Sequence, residues 1–253
     1  AEIWNTVWET AKEVVETIVM ALSFTDQDAW TTGNLVDRLM GLYFDDQGEL
    51  FQDIADGNAS AVDHDGMRKV AETFIKMHEY GPEDSLGIAY EQGISEFANG
   101  EAAMMYQGTF TLPLIKSSNP DMNVRMFILP GETEEETRVG TNMDYGLAVS
   151  KDSENIEEVK TFLEWLTKPE TAQKFHDIEG SPSLINGVES AVPELELVNE
   201  AISNGETFRI PRSFWAPGMV GELNKILQKV ITTQVVDAFL ERLDESVELI
   251  YNQ

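Results

Sequence analysis

Three short apolar runs, Ala102 to Tyr106, Asn123 to Leu129 and Tyr145 to Ser150, are each bounded by Gly, Pro, Asn or Asp and read as strands. They stand among longer segments whose apolar residues recur at helical spacing. From Trp4 to Ala21, Val7, Trp8, Ala11, Val14, Val15 and Ile18 fall on one side and Glu9, Lys12, Glu13 and Glu16 on the other. Further helices are expected over Ala29 to Phe44, from Asp65 to the Gly81-Pro82 stop, and over Ile156 to Leu166, Glu170 to Ile178, Pro193 to Asn204, Gly218 to Ile231 and Val235 to Ile250. Lys168-Pro169 and Gly180-Ser181-Pro182 punctuate this second half. Strands interleaved with helices fold as α/β layers rather than as a bundle.

Charge removes several function classes. The chain has 253 residues with 46 acidic against 17 basic, a formal net charge of -29, so it repels phosphate backbones and anionic membranes. Nucleic acid is therefore a poor partner. Zero cysteines exclude disulfides and thiolate metal sites. No apolar run approaches the roughly 20 residues of a membrane span, and the N-terminus lacks a signal-peptide layout. An exported protein whose leader has been removed has the same appearance, so no compartment follows.

Motifs for covalent chemistry are missing. His64, His78 and His176 are widely spaced, and there is no H-E-x-x-H, G-x-S-x-G, P-loop or G-x-G-x-x-G pattern. Asp63-His64-Asp65-Gly66, with Glu72 beyond, echoes a calcium loop, but Ala61 stands where its first carboxylate belongs. Capping of the following helix by Asp65 is the preferred reading. Asp45 to Glu49 reads as a turn and Glu132 to Glu136 as a solvated loop. A glycosidase pair of carboxylates stays open, because 46 acids let two meet by chance. The balance favours binding over catalysis, with no cofactor.

Aromatics carry the binding argument. Trp30, Tyr90, Tyr106, Phe110, Tyr145, Phe214 and Trp215 lie at element ends, whereas Trp4, Trp8 and Trp165 fit helix faces and read as core. Rings at element mouths suit the flat C–H face of a sugar, and packing is the competing reading for each.

In this setting the chain resembles the extracellular solute-binding proteins of ABC sugar importers, the maltose-binding-protein-like class. Phe97-Ala98-Asn99-Gly100-Glu101-Ala102-Ala103-Met104 is similar to that family's F-x-x-G-x-A-A-M, and Gly108-Thr109-Phe110 to its glycine, spacer and aromatic. Gly146 to Ser153 followed by Val159 to Leu166 resembles its strand-then-helix segment. Gly180-Ser181-Pro182 resembles its G-x-P, and Trp215-Ala216-Pro217-Gly218 its C-terminal region. The resemblance runs in order along most of the chain. It departs at the start, where Ile3 to Val7 resembles a segment that usually follows an N-terminal lobe, with Asn5 in place of the common acid.

The resemblance implies a helix-rich, type II periplasmic-binding-protein-like α/β fold, mostly the second lobe with a partial first lobe. Residues 1–137 and 183–253 are then the second lobe and 138–182 an excursion into the first. The implied function is non-catalytic capture of a sugar or oligosaccharide for a membrane ABC permease, by an extracellular protein that is periplasmic or lipoprotein-anchored. Implied contacts are Phe110, Trp215, Tyr145 and Trp30 as stacking rings, with Asp144, Asn142 and Gln107 as hydroxyl partners. Gly100 is expected to end a helix, and Gly108 to let the chain approach the ligand. The segment 146–166, with Phe162 and Trp165, is expected to need a partner, either a second copy or a first lobe. Two other readings stay open: an acidic surface-exposed interaction module on the same fold with no functional cleft, and a glycoside hydrolase fragment.

Overall fold

Helical periodicity carries most of the architecture. The computed structural model describes residues 2–15, 20–45, 48–142, 146–179, 183, 185–189 and 192–252. The elements in chain order are α1 (Glu2–Val15), β1 (Met20–Ser23), α2 (Ala29–Tyr43), α3 (Leu50–Ala55), α4 (Asp65–His78), α5 (Tyr90–Ala98), β2 (Ala102–Met105), α6 (Leu112–Ser118) and β3 (Val139–Thr141). There follow α7 (Ile156–Leu166), α8 (Pro169–Glu179), α9 (Glu196–Asn204), β4 (Thr207–Arg209), α10 (Met219–Thr233) and α11 (Val236–Tyr251). Short 3-10 turns at Thr109–Thr111 and Pro211–Phe214 join two of the strands to the helices that follow.

The main core forms where α2, α3, α4, α10 and α11 turn their apolar stripes inward. Leu35, Leu39 and Met40 of α2 meet Phe51, Phe74, Leu223, Leu227, Phe239 and Leu243 there, all essentially without solvent contact. A second cluster gathers Ile94, Phe97, Ala102, Leu112, Ile115, Val124 and Leu195 between α5, β2 and α6. Among the described residues the sheets are two parallel pairs: β1 with β2, Met20 opposite Ala102, and β3 with β4, Val139 opposite Thr207. No helix among these residues is long and apolar enough to cross a membrane.

Several boundaries differ from the sequence reading. The first helix is described as far as Val15, and Ala21 belongs to β1. The helix at Asp65 is capped by His64, whose Nδ1 accepts the Met67 amide at 3.1 Å, so Asp65 sits inside the first turn. Asn123 to Leu129 forms no strand, and neither does 146–150. The expected strand from Ala102 ends at Met105. Trp165, expected in the core, is 51 % exposed. Gly100 ends its helix as expected, at φ +81°, with its amide on the Phe97 carbonyl.

Beneath the strands lie two buried carboxylates. Asp26 accepts from Thr32 Oγ1 at 2.8 Å and lies 3.0 Å from His78 Nε2. Burial pushes Asp26 up, but the His78 contacts, with Ser85 and Thr32, hold it below the ordinary value. Asp37 on α2 receives Arg212 Nε, and Arg38 stands 3.8 Å away.

Candidate functional site

Three rings from three separate elements meet at the surface. Trp30 is the second residue of α2, Tyr90 the first of α5, and Phe110 the middle of the 3-10 turn before α6. Trp30 and Tyr90 have centroids 5.0 Å apart at 61°, an edge-to-face pair, and Trp30 and Phe110 lie 6.2 Å apart at 46°. With Pro113 and Leu114 of α6 and Phe175 and Ile178 of α8 they line an open groove of about 600 Å³. Trp30, Leu114, Phe175 and Ile178 are exposed there.

Local sequence explains the placement. Asp28 takes the Thr25 carbonyl with its amide, and the Thr31 hydroxyl bonds that carbonyl at 2.8 Å, so the turn delivers Trp30 at the mouth of α2. The Asp28 carboxylate accepts the Tyr90 amide at 2.7 Å, and the Tyr90 hydroxyl lies 2.9 Å from Thr111 Oγ1. Gly108 is required by the ring of Phe110: a Cβ at position 108 would come 2.3 Å from Phe110 Cε1. That glycine therefore makes room for the aromatic, at an ordinary φ of -81°. This is a different role from the ligand approach expected of it.

None of the seven lining residues is charged. The Tyr90 hydroxyl is pushed up by burial and held partway back by Thr111, which leaves no acid, base or activated nucleophile among the described lining residues. Its chemistry is apolar contact with ring faces. That suits a ligand without charge.

Of the sequence-predicted contacts, the structure brings Trp30 and Phe110 together. Gln107 instead turns toward Thr25 Oγ1 at 3.2 Å, at a small cavity of about 10 Å³ lined by Phe24 and Leu35 as well as Asp26, Thr31, Thr32 and Tyr106. Asn142 is exposed just past β3 and does not line the groove. Trp215 is only 9 % exposed and packs on Phe51 at 5.0 Å, so it is a core residue here. Asp144 and Tyr145 lie outside the described residues. Tyr90, Pro113, Leu114, Phe175 and Ile178 were not among the predicted contacts. Tyr90 carried a signal, as an aromatic at an element end. Phe175 and Ile178, three apart on a helix, read like any core stripe.

Residues 8–173 match the family described as bacterial extracellular solute-binding protein. The chain is 32 % identical over 103 residues to the multiple sugar-binding protein of Streptococcus mutans serotype c, a match spanning 40 % of this chain and 24 % of that protein. Among solved structures it is similar to a chitin oligosaccharide binding protein, with a TM-score of 0.83, 17 % identity and coverage of 99 % of this chain and 65 % of that one. It is also similar to the solute-binding protein RafE in complex with raffinose, with a TM-score of 0.80, 18 % identity and coverage of 98 % and 65 %. These likenesses show the fold. The chain spans under two thirds of the length of both solved relatives.

Proposed function

This chain belongs to the family of bacterial extracellular solute-binding proteins, and we propose that within it the chain captures an uncharged sugar or oligosaccharide, without catalysis, for delivery to a membrane ABC permease. The observation that carries this is the groove in which Trp30, Tyr90 and Phe110 present ring faces with no charged side chain among the described lining residues. Sugars offer C–H faces to such rings. Relatives named for a multiple sugar-binding protein, a chitin oligosaccharide binding protein and a raffinose complex support the ligand class. A groove of this size also speaks against an interaction module that has lost its cleft. The extracellular setting comes with the family, and a protein that is either lipoprotein-anchored or periplasmic is part of the same proposal.

The reading keeps Trp30 and Phe110 as stacking rings and adds Tyr90. It assigns 1–137 and 183–253 to one lobe and 138–182 to an excursion into the other. One feature supports that division: among described side chains between 146 and 178 only Ala172 is buried. The pairing of β3 with β4 holds 139–141 to the larger lobe, so the excursion leaves just after them.

Calorimetric titration with a panel of neutral mono- and oligosaccharides that includes raffinose and chitin oligosaccharides tests the proposal. Trp30→Ala and Phe110→Ala should each weaken binding about tenfold or more. Binding of no sugar by the intact protein, or unchanged affinity in both variants, overturns it.

A further inference from the structure

Asp28 stands at the N-cap of α2, where an aspartate ordinarily accepts from that helix's own first amides. Its side chain makes no such bond. The Oδ2 atom reaches instead to the amide of Tyr90, 62 residues on, at 2.7 Å. The N-cap position of α5 itself is Ala89, which has no side-chain acceptor, so Asp28 caps α5 from another element. The other end of Tyr90 is held as well. Thr111, 2 % exposed, closes the turn that carries Phe110, and its hydroxyl lies 2.9 Å from the Tyr90 hydroxyl.

We infer that Asp28 and Thr111 are positioning residues of the groove, clasping Tyr90 at its amide and its hydroxyl and so fixing the three-ring surface before the ligand arrives. Asp28 lies two residues from Trp30 and Thr111 directly follows Phe110, so the two bonds tie all three ring-bearing elements to one residue. A ring held at one end only can swing about its side-chain torsions, and ordering it on binding then subtracts from affinity. Removing the Thr111 hydroxyl also leaves the Tyr90 hydroxyl without that partner. The inference rests on the sugar-binding reading, and Trp30→Ala separates the two.

The test uses the sugar of the panel that binds the intact protein most tightly, with affinity and thermal midpoint read together. Thr111→Val, close to isosteric, should weaken binding about fivefold, the loss expected for one net hydrogen bond. Thr111→Ser should restore it. Tyr90→Phe should match Thr111→Val, and the double variant should be no weaker than either single one, because both remove the same bond. Asp28→Ala should weaken binding as well; if it fails to melt cooperatively, the Thr111 series decides. In the free protein, the NMR cross-peaks between the Tyr90 and Trp30 rings should weaken in Thr111→Val and return in Thr111→Ser. If Trp30→Ala loses affinity while Thr111→Val binds like wild type, the clasp is refuted and the sugar reading stands. If Trp30→Ala and Phe110→Ala both bind like wild type, the groove is not the site and both are overturned.

Discussion

Asp37 gives a prediction whose sign is fixed by the structure. Its carboxylate is completely buried, receives Arg212 Nε, has Arg38 at 3.8 Å, and leaves Oδ1 with no hydrogen-bond partner. Burial outweighs both guanidinium groups and pushes the carboxyl from 3.8 up to about 6. Between those values the folded protein holds a proton that the unfolded chain has released. The stability this group contributes is therefore complete below the unfolded value and lost as pH rises through about 6. The whole span is worth about 3 kcal/mol, of which roughly half is present at pH 5. Working lower is unwise, since the isoelectric point is near 4.2. Asp37→Asn cannot titrate and serves as the reference. In urea unfolding, wild type should gain on the order of 1 kcal/mol on Asp37→Asn between pH 7.5 and pH 5. A difference that stays flat, or moves toward the variant on acidification, refutes the reasoning: the arginines would then hold Asp37 ionised throughout.

Two further predictions follow from packing. Gly108→Ala puts a methyl 2.3 Å from the Phe110 ring, and because that ring is only partly buried it can turn aside. The thermal cost should stay within about 1 kcal/mol while sugar affinity falls about fivefold, and wild-type affinity in calorimetry refutes the role given to the glycine. Phe162 and Trp165 are each 51 % exposed, and α7 has no buried residue. Trp165→Ala should therefore cost under about 1 kcal/mol in chemical unfolding, against about 3 kcal/mol for the buried Trp4→Ala. A comparable loss in both shows that this face is covered in solution, as the sequence expectation of a partner at 146–166 requires.

The long helices were legible because their apolar residues recur over ten or more positions, long enough for the period to declare itself, whereas α3 and α6, six and seven residues long, were not expected. Ile156 to Leu166 matches α7 in both bounds. Of the strands, only β2 was legible. β3 is Val139-Gly140-Thr141 and β4 is Thr207-Phe208-Arg209, too short for alternation to show. β1 is Met20-Ala21-Leu22-Ser23, whose residues are as acceptable in a helix and extend the apolar pattern of α1. Asn123 to Leu129 erred in the other direction. Its composition suits a strand, but Val124 plugs the second cluster and Met126 makes a single backbone bond, to the Glu194 carbonyl, while Phe127 stays exposed.

The site was legible only as far as position within an element predicts exposure. Trp30 and Trp215 carry the same local signal, an indole beside the start of a helix, and the structure divides them by what stands opposite. Phe51 and Tyr251 close over Trp215, whereas Trp30 faces Tyr90 and Phe110 and stays partly open. No property of residues 213 to 218 contains that difference, because it is made by α3 and α11, far away in sequence. The same holds for Asp28, whose place before α2 suggests a cap for its own helix while its carboxylate serves α5. A groove assembled from the first turns of helices thus depends on bonds between those turns. The affinity of its rings then depends on Asp28 and Thr111, which have no place on its wall, as well as on the aromatics that line it.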